Sequence, residues 1–189
     1  MAARCTARPP PRPSGACWLT SALPARPKPG GKPTKGAHSL QGYRASSTDA
    51  DTWCEFEEAV AVWQRQPEKF SGVGFVFAEA DPYAGIDLDR CLDVDGNPKP
   101  WARPIVEKFS DTYMETSPSG NGLKICCRGQ IPTNLPGGQV AVGSVELYSR
   151  SRYFPVTVPC FRGSPYHLHS HHAILLCLLA PLAPIVPIP

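Results

Sequence analysis

The chain has 189 residues, enough for one domain with a hydrophobic core but too few for two, and its 23 prolines are concentrated toward the two ends. All 16 acidic residues lie between Asp49 and Glu146, whereas residues 1–48 contain eight lysines and arginines and residues 149–189 contain three. This distribution predicts a basic arm attached to an acidic domain. Such an arm suits a polyanionic partner, with a disordered solvated tail as the alternative interpretation.

The eight cysteines and the apolar C-terminal run do not indicate a secreted or membrane protein. The segment Met1–Cys5 has no apolar run of the kind found in signal peptides, and the chain contains no C-x-x-C pair. We therefore expect reduced thiols in a cytoplasm, with a zinc site as the disfavoured alternative. Four prolines interrupt the chain after Ala173–Ala180, so no membrane helix is expected. A metal site is also disfavoured for the nearby histidines, His167, His169, His171 and His172.

The N-terminal half predicts one helix and two strands. Residues 1–30 form a basic Pro/Arg-rich arm without periodicity, which we expect to be disordered apart from a short strand near Trp18. Thr52 and Glu55 have the spacing of a capping box at the start of an amphipathic helix. Two apolar strands that can pair as a hairpin are expected at Gly72–Phe77 and Gly85–Asp89.

The C-terminal half predicts a further helix at about Trp101–Phe109 and four strands. The strands are expected at Thr112–Thr116, Leu123–Arg128, Val145–Tyr148 and Arg152–Thr157. Together these elements predict an α+β fold, a mostly antiparallel sheet with flanking helices, in one domain over residues 31–157. Residues 158–189 break with this pattern, and we interpret them as a divergent low-complexity tail that arose by truncation or by a shifted reading frame.

The alternation of apolar and acidic residues in Ile86–Asp89 is the main chemical signal. Residues i and i+2 of a strand share a face, so both carboxylates would lie together and would favour a neutralising divalent cation. Paired carboxylates are the usual bridge in two-metal sites for phosphoryl transfer. Two solvated aspartates are the alternative. A calcium loop is disfavoured, because aligning Gly96 with its sixth position puts Cys91 and Ala102 where acids are required.

A Gly/Ser-rich turn between two predicted strands contains residues suited to binding phosphate. The segment Tyr113–Lys124 includes Ser117, Ser119 and Gly120, and a turn of this composition allows the backbone to approach phosphate oxygens closely. Lys124 adds a point charge suited to a triphosphate. An ordinary connecting turn is the alternative.

A third segment adds one acid and one arginine. In Val145–Tyr148 the alternation puts Glu146 and Tyr148 on one face of a strand, where the acid can complete a metal site. Arg152 follows shortly afterwards and is a candidate for binding a phosphate. A single glutamate in a strand is by itself ordinary.

Taken in this order, the segments resemble the bifunctional DNA primase/polymerase domain of phage and plasmid proteins, a branch of the archaeo-eukaryotic primase superfamily. The resemblance covers about residues 30–157 and is specific because of the order of its motifs. It departs from the family at Lys124, where many members have histidine, and after Thr157, where a Thr-Gly turn is absent. The matching segments are Gly31–Lys35, Ala45–Trp53, Gly72–Phe77, Gly85–Asp89, Glu115–Gly122, Glu146–Tyr148 and Arg152–Phe154.

The resemblance implies an RRM-like catalytic core that primes DNA replication by template-directed nucleotidyl transfer. It implies that Asp87, Asp89 and Glu146 are catalytic and jointly hold Mg²⁺ or Mn²⁺. The implied partners are a single-stranded DNA template, nucleoside triphosphates and a replicative helicase, in the cytoplasm of a bacterial or phage-infected cell. The residues implied in nucleotide binding are Ser117, Ser119, Gly120, Lys124 and Arg152.

Two other classes of function remain open at this stage. The first is a catalytically inactive fragment of such a primase that still binds nucleotides or nucleic acid, which the unusual tail favours. The second is a structural or interaction protein with a proline-rich arm, which only the composition favours. Magnesium-dependent incorporation of labelled nucleotides on a single-stranded template would separate the enzyme from both.

Overall fold

The structure is a computed structural model that describes residues 18–22, 36–132, 139–142, 144–156 and 160–179. Its contacts divide the chain into two compact units. The first unit contains the described residues of Pro82–Arg150 and of the segment 160–179, and the second unit contains those up to Asp81 together with 151–156. The predicted arm over residues 1–30 lies outside the described residues except for 18–22.

Antiparallel sheets with a few helices make up both units, which confirms the predicted α+β class. Of the described helices, none combines the length and the apolar character that a membrane crossing requires. The elements follow in the order β1 (Trp18–Ala22), β2 (Ala37–His38), α1 (Phe56–Arg65), β3 (Phe70–Phe77), β4 (Tyr83–Leu88), α2 (Arg103–Lys108), β5 (Tyr113–Thr116), β6 (Leu123–Arg128), β7 (Gln139–Val142), β8 (Val145–Tyr148), β9 (Arg152–Val156) and α3 (His172–Leu179).

The second unit is a sheet of described strands in the order β2-β1-β3-β9, with α1 packed against it. The helix buries Ala59 and Val62, and β3 contributes the large apolar side chains of the core. Phe77 on β3 meets Phe154 on β9 edge to face, with ring centroids 5.0 Å apart. Such aromatic pairs stabilise a core beyond the area that they bury.

The segment before α1 forms its own hydrogen-bonded turn. The Thr52 hydroxyl donates to the Asp49 carbonyl oxygen at 2.7 Å, and the Trp53 indole N–H donates to the Ser46 carbonyl oxygen at 2.7 Å. The predicted capping box between Thr52 and Glu55 is therefore wrong, because Thr52 is engaged in this turn. The helix begins at Phe56 instead, and the Glu55 N–H donates to the Glu58 side chain at 3.1 Å.

The first unit contains an antiparallel sheet in the order β5-β6-β4-β8-β7, and the core lies on one face of it. Ile86 and Leu88 on β4 are fully buried there, beside apolar residues of β6 and β8. Phe109 after α2 and Leu175 in α3 belong to the same core cluster. Because side chains of a strand alternate, the residues between the core positions point to the other face.

Residues 160–179 pack into the first unit. The Tyr113 N–H donates to the His167 carbonyl oxygen, and the Arg128 N–H donates to that of His169. The Asp111 carboxylate lies 2.9 Å from the His171 ring nitrogen Nε2, and Leu175 is fully buried. This part of the segment predicted as a low-complexity tail thus contributes to the core.

The predicted hairpin between the two apolar strands is wrong. β3 pairs with β1 and β9, whereas β4 pairs with β6 and β8. The boundary between the two units falls between Asp81 and Pro82, in the turn that would have closed the hairpin. Sequential apolar strands are often neighbours, but here each strand completes a different sheet.

Candidate active site

Four charged residues form one row across the sheet of the first unit. On β4, Asp87 stands directly opposite Lys124 of β6 and opposite Glu146 of β8. Lys124 in turn stands opposite Glu115 of β5. Directly opposed residues of antiparallel strands share a face, with Cβ atoms about 4.5–5.5 Å apart. The row therefore runs Glu115, Lys124, Asp87, Glu146 on the face away from the core.

Local alternation on β4 determines which face the acid occupies. Ile86 and Leu88 enter the core with no exposed surface, so Asp87 between them must point away. Asp87 is nevertheless only 8% exposed. Asp89 comes just after the end of β4, is exposed, and donates its N–H to the Ser144 carbonyl oxygen at 2.8 Å. Of the two aspartates, only Asp89 is therefore exposed to solvent, as the alternative interpretation expected for both.

Lys124 holds Asp87 in a close ion pair. The Lys124 Nζ atom lies 2.5 Å from Asp87 Oδ2, and the two side chains are 12% and 11% exposed. Burial raises the pKa of the Asp87 carboxyl above its usual value, the Lys124 charge lowers it, and the Asp89 and Glu146 charges add to the rise. The pKa of Asp87 is raised overall because the effect of burial is larger than the opposing effect of the Lys124 charge. A further positive charge nearby would lower this pKa.

A tyrosine orients each of the two glutamates in the row. The Tyr148 hydroxyl donates to Glu146 Oε2 from two residues along β8. The Tyr113 hydroxyl donates to Glu115 Oε2 at 2.7 Å from two residues along β5. Burial raises the pKa of the Tyr113 hydroxyl well above its usual range, and the Glu115 charge adds to this effect. The Tyr113 hydroxyl therefore remains a donor, which keeps the Glu115 carboxylate directed.

The Gly/Ser turn between β5 and β6 is closed by its own side chains. The Ser117 and Ser119 hydroxyl oxygens are 2.8 Å apart, and the Gly122 N–H donates to Ser117 Oγ at 3.2 Å. Gly120 has a φ of 81°, in the left-handed region that favours glycine. A Cβ atom on Gly122 would lie 2.7 Å from the Leu88 carbonyl oxygen, so the turn packs against the end of β4.

The structure brings most of the predicted site residues together and leaves one in the other unit. Asp87, Glu146 and Lys124 are neighbours in the row, and Asp89 lies at the exposed end of β4. The turn residues Ser117, Ser119 and Gly120 follow β5, next to that end. Arg152 lies on β9 of the second unit, opposite Phe77.

Sequence reasoning missed Glu115 and Tyr113 as members of the row. The alternation Tyr113-Met114-Glu115 has the same form as Glu146-Leu147-Tyr148, and it was a usable signal. Met114 is buried in the core, which puts its two neighbours on the polar face. Only the pairing of β5 with β6 brings Glu115 beside Lys124.

The three predicted metal ligands have the donor chemistry that suits a hard divalent cation. Asp87, Asp89 and Glu146 supply carboxylate oxygens, the ligands that Mg²⁺ and Mn²⁺ prefer, and two of them are directly opposed. In the part of the chain that the structure describes, no three His, Cys, Asp or Glu side chains converge as a formed metal site. Lys124 contacts Oδ2 of Asp87, so a cation bound at that oxygen would compete with this lysine.

Comparison with known proteins supports a phage-type primase-polymerase domain in this chain. It is 36% identical over 129 residues to a protein named DNA primase-polymerase from Nitratiruptor phage NrS-1. The match covers 65% of this chain and 17% of that relative's length. No family model matches the chain. The resemblance found in the sequence motifs is thereby confirmed.

Proposed function

We propose that this chain is a DNA primase/polymerase of archaeo-eukaryotic type that carries out template-directed, metal-dependent nucleotidyl transfer. The observation that carries the proposal is the direct opposition of Asp87 and Glu146 on β4 and β8, with Asp89 one residue beyond the end of β4. Similarity to a protein named DNA primase-polymerase supports the same reaction. The proposed ligands for Mg²⁺ or Mn²⁺ are these three carboxylates.

In the proposed reaction, the 3′ oxygen of a primer forms a bond to the α-phosphorus of a nucleoside triphosphate. The bond between that phosphorus and the bridging oxygen breaks, pyrophosphate leaves with the electron pair, and the hydroxyl proton passes to solvent. Divalent cations in such sites lower the pKa of the attacking hydroxyl and offset charge on the leaving group. Asp87 and Glu146 contribute fixed negative charge, and Tyr148 keeps Glu146 directed.

The triphosphate is proposed to lie beside the Gly/Ser turn. Ser117 and Ser119 have hydroxyls there, and Gly120 has no side chain at the point where the turn adopts a φ of 81°. Lys124, on β6 just after this turn, is proposed to contribute positive charge toward the triphosphate. The family resemblance also implies a phosphate-binding role for Arg152, which lies on β9.

The proposed partners follow from the same reaction. A single-stranded DNA template and nucleoside triphosphates are its substrates, and a replicative helicase would supply the template. The basic residues before Asp49 suit the phosphate backbone of such a template. The NrS-1 relative is much longer than the matched segment, so a helicase partner rests on the family resemblance alone.

The test is primer synthesis and extension on a single-stranded template, with labelled nucleotides and Mg²⁺ or Mn²⁺. Asp87→Asn is expected to lower incorporation by roughly 100-fold or more, as loss of a preorganised charged group does in other enzymes. Asp95→Asn is the matched control, because Asp95 is an exposed acid of the same unit outside the row. Equal incorporation by the two variants would remove the proposal.

A second candidate is a module that binds nucleotides or nucleic acid without catalysis. The observation that favours it is the Lys124 ammonium at Asp87, where a catalytic cation would have to bind. Such a module would bind nucleoside triphosphates but would not incorporate them at any Mg²⁺ or Mn²⁺ concentration. The incorporation assay, combined with a nucleotide-binding measurement, therefore distinguishes the two candidates.

A further inference from the structure

Glu115 is a buried acid at one end of the charged row, separated from Asp87 by Lys124. The residue is 1% exposed, and Tyr113 donates a hydrogen bond to its carboxylate. Burial of a carboxylate is costly unless donors or a cation compensate it. Glu115 is thus a buried carboxylate on β5, the strand next to the one that carries Lys124.

Lys124 has an acid on each side of it in the register. Asp87 stands opposite on β4 and Glu115 stands opposite on β5, all on one face. The Lys124 ammonium contacts Asp87 at 2.5 Å. A lysine has a flexible four-carbon stem and three donors, so it can move between neighbouring carboxylates without leaving the sheet face. The row therefore offers two carboxylates for one nearly buried cation.

We propose that Glu115 is a positioning residue that takes over the Lys124 ammonium when Asp87 binds a divalent cation. This inference rests on the proposed function, which puts a divalent cation at Asp87. The ammonium and a divalent cation compete for the same carboxylate, because both are positive and Lys124 already contacts Oδ2. Transfer of Lys124 to Glu115 releases Asp87 while the ammonium keeps a partner.

The proposal predicts a dependence between the two residues. Without the Glu115 carboxylate, cation binding at Asp87 would leave the displaced ammonium with one acid fewer beside it on the sheet face. Cation binding would then be weaker. Without the Lys124 ammonium there is nothing to displace, so the charge on Glu115 should hardly affect cation binding. A double-mutant cycle measures such a dependence directly.

The experiment is calorimetric titration of the full chain with Mn²⁺, for wild type, Glu115→Gln, Lys124→Gln and the double variant. We expect Glu115→Gln to weaken Mn²⁺ binding about tenfold in the wild-type background and less than about twofold in the Lys124→Gln background. Glu115→Asp, which keeps the charge, should recover part of the affinity. Thermal melting by circular dichroism checks that each variant is folded.

A similar loss in both backgrounds would mean that Glu115 acts only as a distant negative charge, and this would overturn the inference while the metal site stands. If wild type does not bind Mn²⁺, or Asp87→Asn binds it equally well, the metal site and the inference fall together. Should Glu115→Gln not fold, Tyr113→Phe is the second variant, since it removes the hydrogen bond to Glu115 but keeps the charge. Tyr113→Phe should weaken Mn²⁺ binding less than Glu115→Gln does, and this effect should also disappear in the Lys124→Gln background.

Discussion

Lys124 and Asp87 form an ion pair across β4 and β6 in which both side chains are almost removed from water. The pair lies in the middle of the sheet of the first unit, with apolar core residues directly beneath it. An ion pair in such a place contributes little net stability, but removal of one partner leaves a poorly compensated charge. The pair therefore constrains both the stability of the unit and the binding of any further cation.

Lys124→Met should destabilise the first unit more than removal of both charges does. We expect the free energy of unfolding to fall by about 3 kcal/mol, because Asp87 stays buried without its ammonium partner. The double variant Asp87→Asn/Lys124→Met should recover at least half of that loss. Urea unfolding followed by circular dichroism measures both effects. The expectation is contradicted if the loss of unfolding free energy in the double variant equals the sum of the losses in Asp87→Asn and Lys124→Met.

Tyr148→Phe should weaken catalysis without unfolding the chain. The substitution removes the hydroxyl that donates to Glu146, at a cost of about 1 kcal/mol, and should lower nucleotide incorporation about fivefold at limiting Mn²⁺. Tyr43→Phe is the matched control, because Tyr43 is 75% exposed and belongs to the second unit. Equal rates for the two variants would show that Glu146 needs no orientation by Tyr148.

Leu175→Ala should destabilise the first unit, because the Leu175 side chain is fully buried in the core cluster. Large-to-small substitutions at such sites cost about 2–5 kcal/mol. Ala173→Ser, at an exposed position of the same helix, should change the unfolding free energy by less than about 0.5 kcal/mol. Urea unfolding measures both values. A neutral Leu175→Ala would mean that α3 does not contribute to the stability of the core.

Gly122→Ala should disturb the contact between the Gly/Ser turn and the end of β4. A Cβ atom there would press on the Leu88 carbonyl oxygen, next to both aspartates, so the turn and the end of β4 must separate. We expect a loss of about 1–3 kcal/mol in stability, as overpacking produces, together with weaker nucleotide binding. Gly96→Ala is the control, since its φ of 73° brings strain but no atom lies within 4 Å of an added Cβ. The control should leave nucleotide affinity unchanged, as measured by fluorescence titration.

The buried thiols of the first unit should resist alkylation. Burial raises the pKa of the Cys91 thiol to about 11 and that of Cys127 to about 12. At about pH 8 only around one thiol in a thousand or fewer is then a reactive thiolate. Mass spectrometry after iodoacetamide treatment should find both residues unmodified in the folded chain and modified in urea. Rapid labelling of the folded chain would contradict their burial.

The faces of individual strands were predictable from the sequence, because each strand shows its own alternation. Ile86 and Leu88 had to enter the core, and this placed Asp87 on the polar face without knowledge of any partner strand. The same argument placed Glu146 and Tyr148 together. Local alternation thus accounts for much of the candidate site.

The order of the strands was not predictable in this way, because pairing depends on contacts between distant parts of the chain. That β4 lies between β6 and β8 is what makes Asp87 a neighbour of both Lys124 and Glu146. The division into two units also escaped sequence reasoning, since two sequential apolar strands suggested a hairpin. The packing of Leu175 was not predictable from the sequence either, because one buried side chain leaves no periodic pattern.

The part of the chain that follows Arg150 adds pairing to one strand in each unit. β9 pairs with β3 in the second unit, and Cys160 forms a bridge to Glu115 on the outer strand of the first unit. On the ribosome, β3 would therefore lack its β9 neighbour until this late stretch emerges, and an unpaired strand edge is where chains pair wrongly. A chain released by stalled translation before Arg152 would leave that side of β3 open to pairing with other chains.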